Sequence, residues 1–267
     1  MSHPKDSIPR FGEIVGKSAA MKTVFSSIEK VASVDYPVLI VGETGTGKDL
    51  VAREIHNRSP RSKKPFIPIN MSAIPSELVA SVLFGHEKGS FTGASESHAG
   101  YFQEGKNGTL FLDEISTMDD NVQSALLRVL ETKKYRKIGS NKEFKTDSRI
   151  LAATNQATKI LVKSKLFRVD LLHRLQVVQI NVPPLRRRKQ DIALLVQYFL
   201  QVIKQNYDRI AMTISKDALN YLKQYSWPGN VRELRNTIFH AAVLSEGNEI
   251  HTKHLPEQIL LEIENLN

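Results

Sequence analysis

Cysteine is missing from the 267-residue chain, and tryptophan occurs once. With no thiol there is no disulfide framework, no thiolate metal site and no cysteine nucleophile, as befits a reducing compartment. Nor does any apolar run approach the ~20 residues that span a bilayer. The opening MSHPKDSIPR lacks the apolar stretch of a secretory signal. A cytoplasmic protein with no membrane partner is expected. Internal repeats and low-complexity tracts are also missing. Acid is in short supply: 28 Asp and Glu against 37 Lys and Arg give a formal charge of +9. That balance suits nucleic acid or another polyanion as a ligand. The two densest basic clusters, Lys133–Lys137 and Arg186–Lys189, are not interleaved with aromatics as a single-strand platform would be. Taken singly, each reads as a solvated face.

What is present is a chain long enough for one large domain or two modest ones, with 41% hydrophobic residues to fill a core. Val38–Val41 reads as a buried strand, followed by a glycine-rich turn and a helical pattern from Leu50 to His56. The alternation recurs: PFIPIN into SELVASVLF, GTLFLDE into NVQSALLRVLE, RILAATN into LFRVDLLHRL, and a last strand VVQINV. Strands alternating with helices predict an α/β fold built on a parallel sheet. Pro183-Pro184 stops the pattern. Beyond it only helices are expected, over Asp191–Gln205, Lys216–Tyr225 and Val231–Leu244, with an amphipathic tail LPEQILLEIENLN. The expected division is an N-terminal extension over 1–13, a nucleotide-binding α/β domain over 14–184 and a helical lid over 185–267.

GETGTGKD, residues 42–49, follows a strand and opens a helix, the setting that gives a phosphate-loop pattern its meaning. Gly42, Gly45 and Gly47, with Glu43, Thr44 and Thr46 between them, let backbone amides curl around phosphate oxygens. Lys48 supplies a charge for the β and γ phosphates. Asp49 stands where Ser or Thr meets magnesium in the general pattern, and a carboxylate is still a hard oxygen ligand. GTLFLDE ends in two carboxylates, the arrangement that holds magnesium with Asp113 and polarises a water with Glu114; standing alone, such acids also cap helices. Asn155 ends AATN, placed either to reach the γ phosphate or the attacking water, or to cap a turn. Arg168 and Arg174 lie six apart, too far to stack on adjacent helical turns. Spacing alone favours surface cations, the alternative being arginine fingers offered to a neighbouring subunit. In WPGNVREL, Arg232 falls early on a helix that follows a Pro-Gly turn. GHEKGSFTGASESHAG, residues 85–100, has neither helical nor strand periodicity and carries Phe91-Thr92 where the core has no use for an aromatic. Phe91 either folds back on its own domain or touches a partner.

Together these strings resemble the central ATPase domain of bacterial sigma-54-dependent transcription activators, the enhancer-binding branch of the AAA+ family, from about Ile14 to Pro256. GETGTGKD is similar to the family's phosphate loop, where an acid after the lysine is usual. The most specific string is GSFTGA, Gly89, Ser90, Phe91, Thr92, Gly93 and Ala94, which resembles the family's GAFTGA loop that meets the sigma factor. The resemblance implies an ATP hydrolase using ATP and Mg2+ and working as a ring, a hexamer or heptamer. It further implies remodelling of the sigma-54 RNA polymerase closed complex. By the same resemblance Asn70 in PINMSA is the switch residue acting on Glu114, Arg168 and Arg174 are inter-subunit fingers, and Arg232 is the lid sensor. Lys133–Lys145 is similar to a second pore loop whose basic cluster faces a channel where promoter DNA or sigma factor sits.

Ser90 replaces the family's usual alanine, and Gln103 stands where an acid is common. With no receiver or sensory module before Ile8 and no helix-turn-helix module after Asn267 in these residues, the expectation is an excised ATPase core, the alternative being a variant that acts without its own DNA anchor. The rival expectations are a nucleotide-binding AAA+ scaffold that barely turns over, which steady-state phosphate release would separate, or another AAA+ motor acting on nucleic acid, which has no reason to display GSFTGA.

Overall fold

A computed structural model describes residues 8–163, 167–206, 213–245 and 247–265. Met1–Ser7 of the expected N-terminal extension, Leu166 at the head of LFRVDLLHRL and the last two residues of the tail lie outside the described residues. The chain opens with a hairpin, β1 (Arg10–Phe11) and β2 (Ile14–Val15), then α1 (Ala19–Ala32), β3 (Val38–Val41) and α2 (Lys48–Asn57). β4 (Phe66–Asn70), α3 (Ser76–Phe84), α4 (Tyr101–Glu104), β5 (Thr109–Asp113) and α5 (Asp120–Thr132) follow. Next come a hairpin of β6 (Lys134–Arg136) and β7 (Glu143–Lys145), then β8 (Arg149–Thr154), α6 (Thr158–Lys163), α7 (Val169–Leu175) and β9 (Val178–Asn181). The remainder is α8 (Ile192–Asn206), β10 (Thr213–Ile214), α9 (Lys216–Gln224), α10 (Asn230–Leu244), β11 (Glu249–Ile250) and α11 (Glu257–Glu264).

Two compact units emerge. One comprises the described residues of Met1–Phe25, Glu43–Gly47 and Val182–Asn267; the other comprises Ser26–Gly42 and Lys48–Asn181. The second unit is the expected parallel α/β layer. Its five-stranded sheet runs β4-β5-β8-β3-β9, all parallel, with Val38 opposite Leu151 and Val178, and Asn70 opposite Asp113. Strands buried on both faces read as unbroken apolar runs: Val38, Leu39 and Ile40 are wholly buried, as are Leu110 and Leu112. Each such side chain contributes ~1.5–3 kcal/mol. Because the strands are parallel, their carboxyl ends share one edge, which assembles Gly42, Asn155, Asp113 and Asn70 from segments distant in sequence. A buried guanidinium closes the far side of this layer: Arg149 donates to the carbonyls of Val31, Ala32 and Tyr36, capping the end of α1.

The other unit is built around Trp227, Leu185, Phe199, Leu234, Ile238 and Ile259. Trp227 is wholly buried, and its indole N–H donates to the Leu222 carbonyl at 2.7 Å. Here the expectation of helices alone is corrected: β10 and β11 form a two-stranded parallel pair, Thr213 opposite Glu249 and Ile214 opposite Ile250. Two residues on each strand are too few for a period-2 pattern to stand out from a loop. The helices begin and end within a residue or two of expectation, as with Asn230–Leu244 for Val231–Leu244.

Candidate active site

The phosphate loop is held by its carbonyls. Lys48, almost fully buried, folds back so that Nζ donates to the Gly42 carbonyl at 2.9 Å. Thr46 donates to the Glu43 carbonyl from its amide at 3.3 Å and its hydroxyl at 2.7 Å. Asn230 Nδ2 donates to the Thr44 carbonyl at 3.0 Å, the amides of Val231 and Arg232 donate to the Gly45 carbonyl, and Arg188 Nη2 donates to the Thr46 carbonyl at 3.1 Å. Five successive carbonyls are therefore committed to the protein. Among the described residues the amides of Gly45 and Gly47 have no acceptor. Backbone amides left open in a glycine turn are the groups that bind anions in such loops. Gly45 and Gly47 have φ of 77° and 94°, and a Cβ on Gly45 would lie 2.3 Å from the Gly229 carbonyl oxygen, so only glycine fits there.

The loop's flank is set by Glu43, whose carboxylate accepts from both Arg186 Nη atoms at 2.5 and 2.6 Å and from Asn230 Nδ2 at 3.2 Å. Arg186 holds the Glu43 carboxyl below the usual carboxylate range. Asn230 is wholly buried in the left-handed region, φ 54°, and its Oδ1 accepts from the Leu185 amide. Arg232 and Thr44 line a cavity of about 410 Å³ with Gly229, Glu233, Asn236 and His240.

On the sheet edge, Asp113 is half-buried at the end of β5, with Oδ1 accepting from the Glu114 amide at 2.9 Å. Burial pushes its carboxyl pKa up, against the opposing pull of Lys48. Glu114, also half-buried, adopts φ 57° and ψ 46°. A glutamate in the left-handed region is strained by ~1–2 kcal/mol, and such strain concentrates where side chains must be aimed. Asp49 is exposed in the first turn of α2, and Asn155 is exposed just past β8. Asn70 stands in register with Asp113, and its Oδ1 accepts from the Ser72 amide and hydroxyl, at 3.0 and 2.8 Å. Among the described residues no hydrogen bond joins Asn70 to Glu114.

The two arginines are already engaged. Arg168 precedes α7 and donates to both Asp170 oxygens, at 2.8 and 3.1 Å, and to Ser124 Oγ at 3.0 Å. Arg174, in the last turn of α7, meets Glu131 at 3.4 Å. Both pairs are largely exposed and weak enough to exchange.

The GSFTGA segment is a tethered projection. Below it the backbones of His86 and His98 exchange hydrogen bonds at 3.1 and 2.9 Å, Glu87 N donates to the Ile138 carbonyl, and Ile138 N donates to the Gly85 carbonyl. The loop is thereby fastened to the turn between β6 and β7. Ser90 lies against Gly139, where a Cβ would approach Ser90 Cβ to 2.6 Å. Thr92 is exposed at the tip. Phe91 rests on its own domain, its ring meeting His86 edge-on with centroids 5.0 Å apart, and stays 37% exposed.

A model of the Sigma-54 interaction domain matches residues 14–181, and a model of the AAA+ ATPase lid domain matches residues 186–265. The chain belongs to the sigma-54 interaction domain family. It is 44% identical over 247 residues to the DNA-binding transcriptional regulator NtrC of Klebsiella pneumoniae, covering 92% of this chain and 53% of that protein. The formate hydrogenlyase transcriptional activator FhlA of Escherichia coli is 46% identical over 254 residues, covering 95% of this chain and 37% of the activator. The chain thus spans about half the length, or less, of the curated relatives it matches. Crystal structures of NtrX from Brucella abortus in complex with ADP and with ATP match it with a TM-score of 0.86 at 35% and 36% identity, over 92% of this chain and 55% of each of those.

In this sigma-54 interaction domain, sequence reasoning missed the loop's anchors. The Arg186–Lys189 cluster, read as solvated, is corrected: Arg188 is 3% exposed and Arg186 is spent on Glu43. Arg-Arg-Arg-Lys gives no sign of which guanidinium turns inward. Asn230 had a signal that went unread, an asparagine after Pro-Gly, the residue type that tolerates positive φ. The Lys133–Lys137 cluster is also less bare than its composition suggests, since Lys134 and Arg136 both pair with Glu143.

The raised pKa of Asp113 has a consequence for stability. Its folded-state value lies above the unfolded one, so the folded state holds the proton more tightly, and stability falls as pH rises from about 4 through the raised folded-state value. Asp113→Asn should therefore melt higher than the parent at pH 7 without nucleotide, by on the order of 2 °C. The difference should vanish in acid, where the parent's carboxyl is protonated. A variant melting lower at pH 7 would contradict this assignment of the Asp113 environment.

Proposed function

We propose that the chain is the ATP-hydrolysing core of a sigma-54-dependent activator, a ring protein that uses each turnover to move its GSFTGA loop and remodel the closed complex of RNA polymerase with sigma-54. The observation that supports this reading is the phosphate loop with every carbonyl from Gly42 to Thr46 engaged and the amides of Gly45 and Gly47 without a protein acceptor among the described residues, available to a polyphosphate. In this reading residues 14–184 are the nucleotide-binding domain and 185–267 the lid.

ATP is held by Gly42, Glu43, Thr44, Gly45, Thr46, Gly47, Lys48 and Asp49, with Asn155 and Arg232 contributing to nucleotide recognition. Glu114, which follows β5 in the left-handed region, polarises the attacking water. Water attacks the γ phosphorus, the bond to the β-phosphate oxygen breaks, and the water's proton passes to Glu114. Lys48 stabilises charge on the leaving phosphates, and Arg168 and Arg174 of a neighbouring protomer exchange their surface carboxylates for the γ phosphate. Asn70, in register with Asp113, relays the nucleotide state towards the loop.

The residues present suit magnesium. Among the described residues no cluster of three acids or histidines gathers, and magnesium is ordinarily held by one or two carboxylates plus phosphate oxygens and water. Asp113, desolvated with a raised pKa, and Asp49 would hold it. When bound, the ion supplies charge neutralisation at the phosphates. Gly89, Ser90, Phe91, Thr92, Gly93 and Ala94 meet sigma-54, the hairpin of β6 and β7 faces a central channel that takes promoter DNA or sigma factor, and the ring, a hexamer or heptamer, works in the cytoplasm.

Two sets of variants separate the chemistry from the work. Glu114→Gln should bind ATP as the parent does and hydrolyse it at least about 100-fold more slowly; phosphate release at the parent rate would remove Glu114 as the base. Phe91→Ala and Thr92→Ala should keep hydrolysis and lose capture of sigma-54 in the presence of a phosphoryl-transfer transition-state mimic. A destabilised Phe91→Ala that still captures sigma-54 would make the ring a packing residue on His86.

A further inference from the structure

Arg188 follows a 3₁₀ turn, Leu185–Arg187, and is 3% exposed. Its guanidinium carries five N–H donors, and their surroundings are poor in acceptors. Nη2 donates to the Thr46 carbonyl, Nη1 lies 3.1 Å from the Met21 sulfur, and Nε has no partner. The acid that acts on it, Asp191, is itself buried and accepts from the Lys17 and Ser18 amides and the Ser18 hydroxyl. Among the described residues no ion pair joins Arg188 to a carboxylate. The other deeply buried arginine, Arg149, reaches three carbonyls, and the neighbouring Arg186 has the Glu43 carboxylate. Burial pushes the Arg188 guanidinium down to about 10, so it stays charged at neutral pH.

A buried cation short of partners destabilises a fold. Its one strong acceptor belongs to the Thr46–Gly47 peptide, whose N–H, on Gly47, has no acceptor among the described residues. A cationic donor on a carbonyl polarises the whole peptide and strengthens the amide as a donor. We propose that Arg188 is a positioning residue of the nucleotide site: it fixes and polarises the Thr46–Gly47 peptide and places behind the phosphate loop a buried positive charge that a bound polyphosphate neutralises. The inference rests on the reading of residues 42–49 as a phosphate loop.

Removing the charge should move stability and affinity in opposite directions. Arg188→Met should melt at or above the parent temperature without nucleotide, because the uncompensated cation is gone. Its affinity for ADP, by calorimetric titration, should fall about tenfold, with a smaller loss for AMP. Arg188→Lys keeps the charge and should bind ADP within about threefold of the parent, while Arg188→Gln, neutral but still a donor, should resemble Arg188→Met. A merely structural tie predicts the reverse for Arg188→Met: a lower melting temperature and parental affinity per folded molecule, which would overturn the inference. If Arg188→Met does not fold, Lys and Gln variants of equal affinity overturn it as well. A parent chain that binds no ADP would instead defeat the phosphate-loop reading itself.

Discussion

The commitment of the Gly42–Thr46 carbonyls to protein donors is the constraint from which the rest follows. A peptide whose oxygen is held turns its N–H the other way, so holding the Thr44 and Thr46 oxygens leaves the Gly45 and Gly47 amides turned from those donors without a side chain having to orient them. The donors have different chemistry: an ammonium at Gly42, a hydroxyl at Glu43, an amide side chain at Thr44, helix-start amides at Gly45 and a guanidinium at Thr46. Glycine at position 45 is what allows the start of α10 to approach, since a Cβ would strike the Gly229 carbonyl. In the proposed reading the loop is held before any anion arrives, and little ordering remains to be done on binding.

The same economy of placement governs the sheet. Parallel strands end on one edge, so the residues proposed for metal, water and switch, Asp113, Glu114 and Asn70, arrive there by strand register. Glu114 is the exception that costs backbone energy, and its left-handed conformation is the local departure expected where a side chain must be aimed. The GSFTGA loop is mounted differently. Its stem pairs with itself at His86 and His98 and with Ile138, which fastens it to the β6–β7 turn, while Thr92 and part of Phe91 remain exposed.

Much of this was legible in the sequence. The alternation of apolar runs with helical periodicity set the α/β layer, because parallel strands buried on both faces leave unbroken runs such as Val38–Val41. GETGTGKD and GTLFLDE named their residues because the chemistry demands glycine, lysine and carboxylate at fixed offsets. The short β10–β11 pair was illegible, since two residues carry no period. So was the burial of Arg188, because a guanidinium turns inward for reasons that lie in Thr46 and Met21, far away in sequence. Helix α1 and the first hairpin also went unread, lying ahead of the first strong strand signal.

Open-complex formation tests the account's central claim most directly. The chain, purified sigma-54 holoenzyme and a sigma-54-dependent promoter are incubated with ATP or with a non-hydrolysable analogue, and melted promoter DNA is detected by single-strand-specific probing. Melting should occur with ATP and not with the analogue, although both nucleotides bind. Equal melting with the two nucleotides, or none with ATP while phosphate is steadily released, would contradict an ATPase whose turnover drives the remodelling.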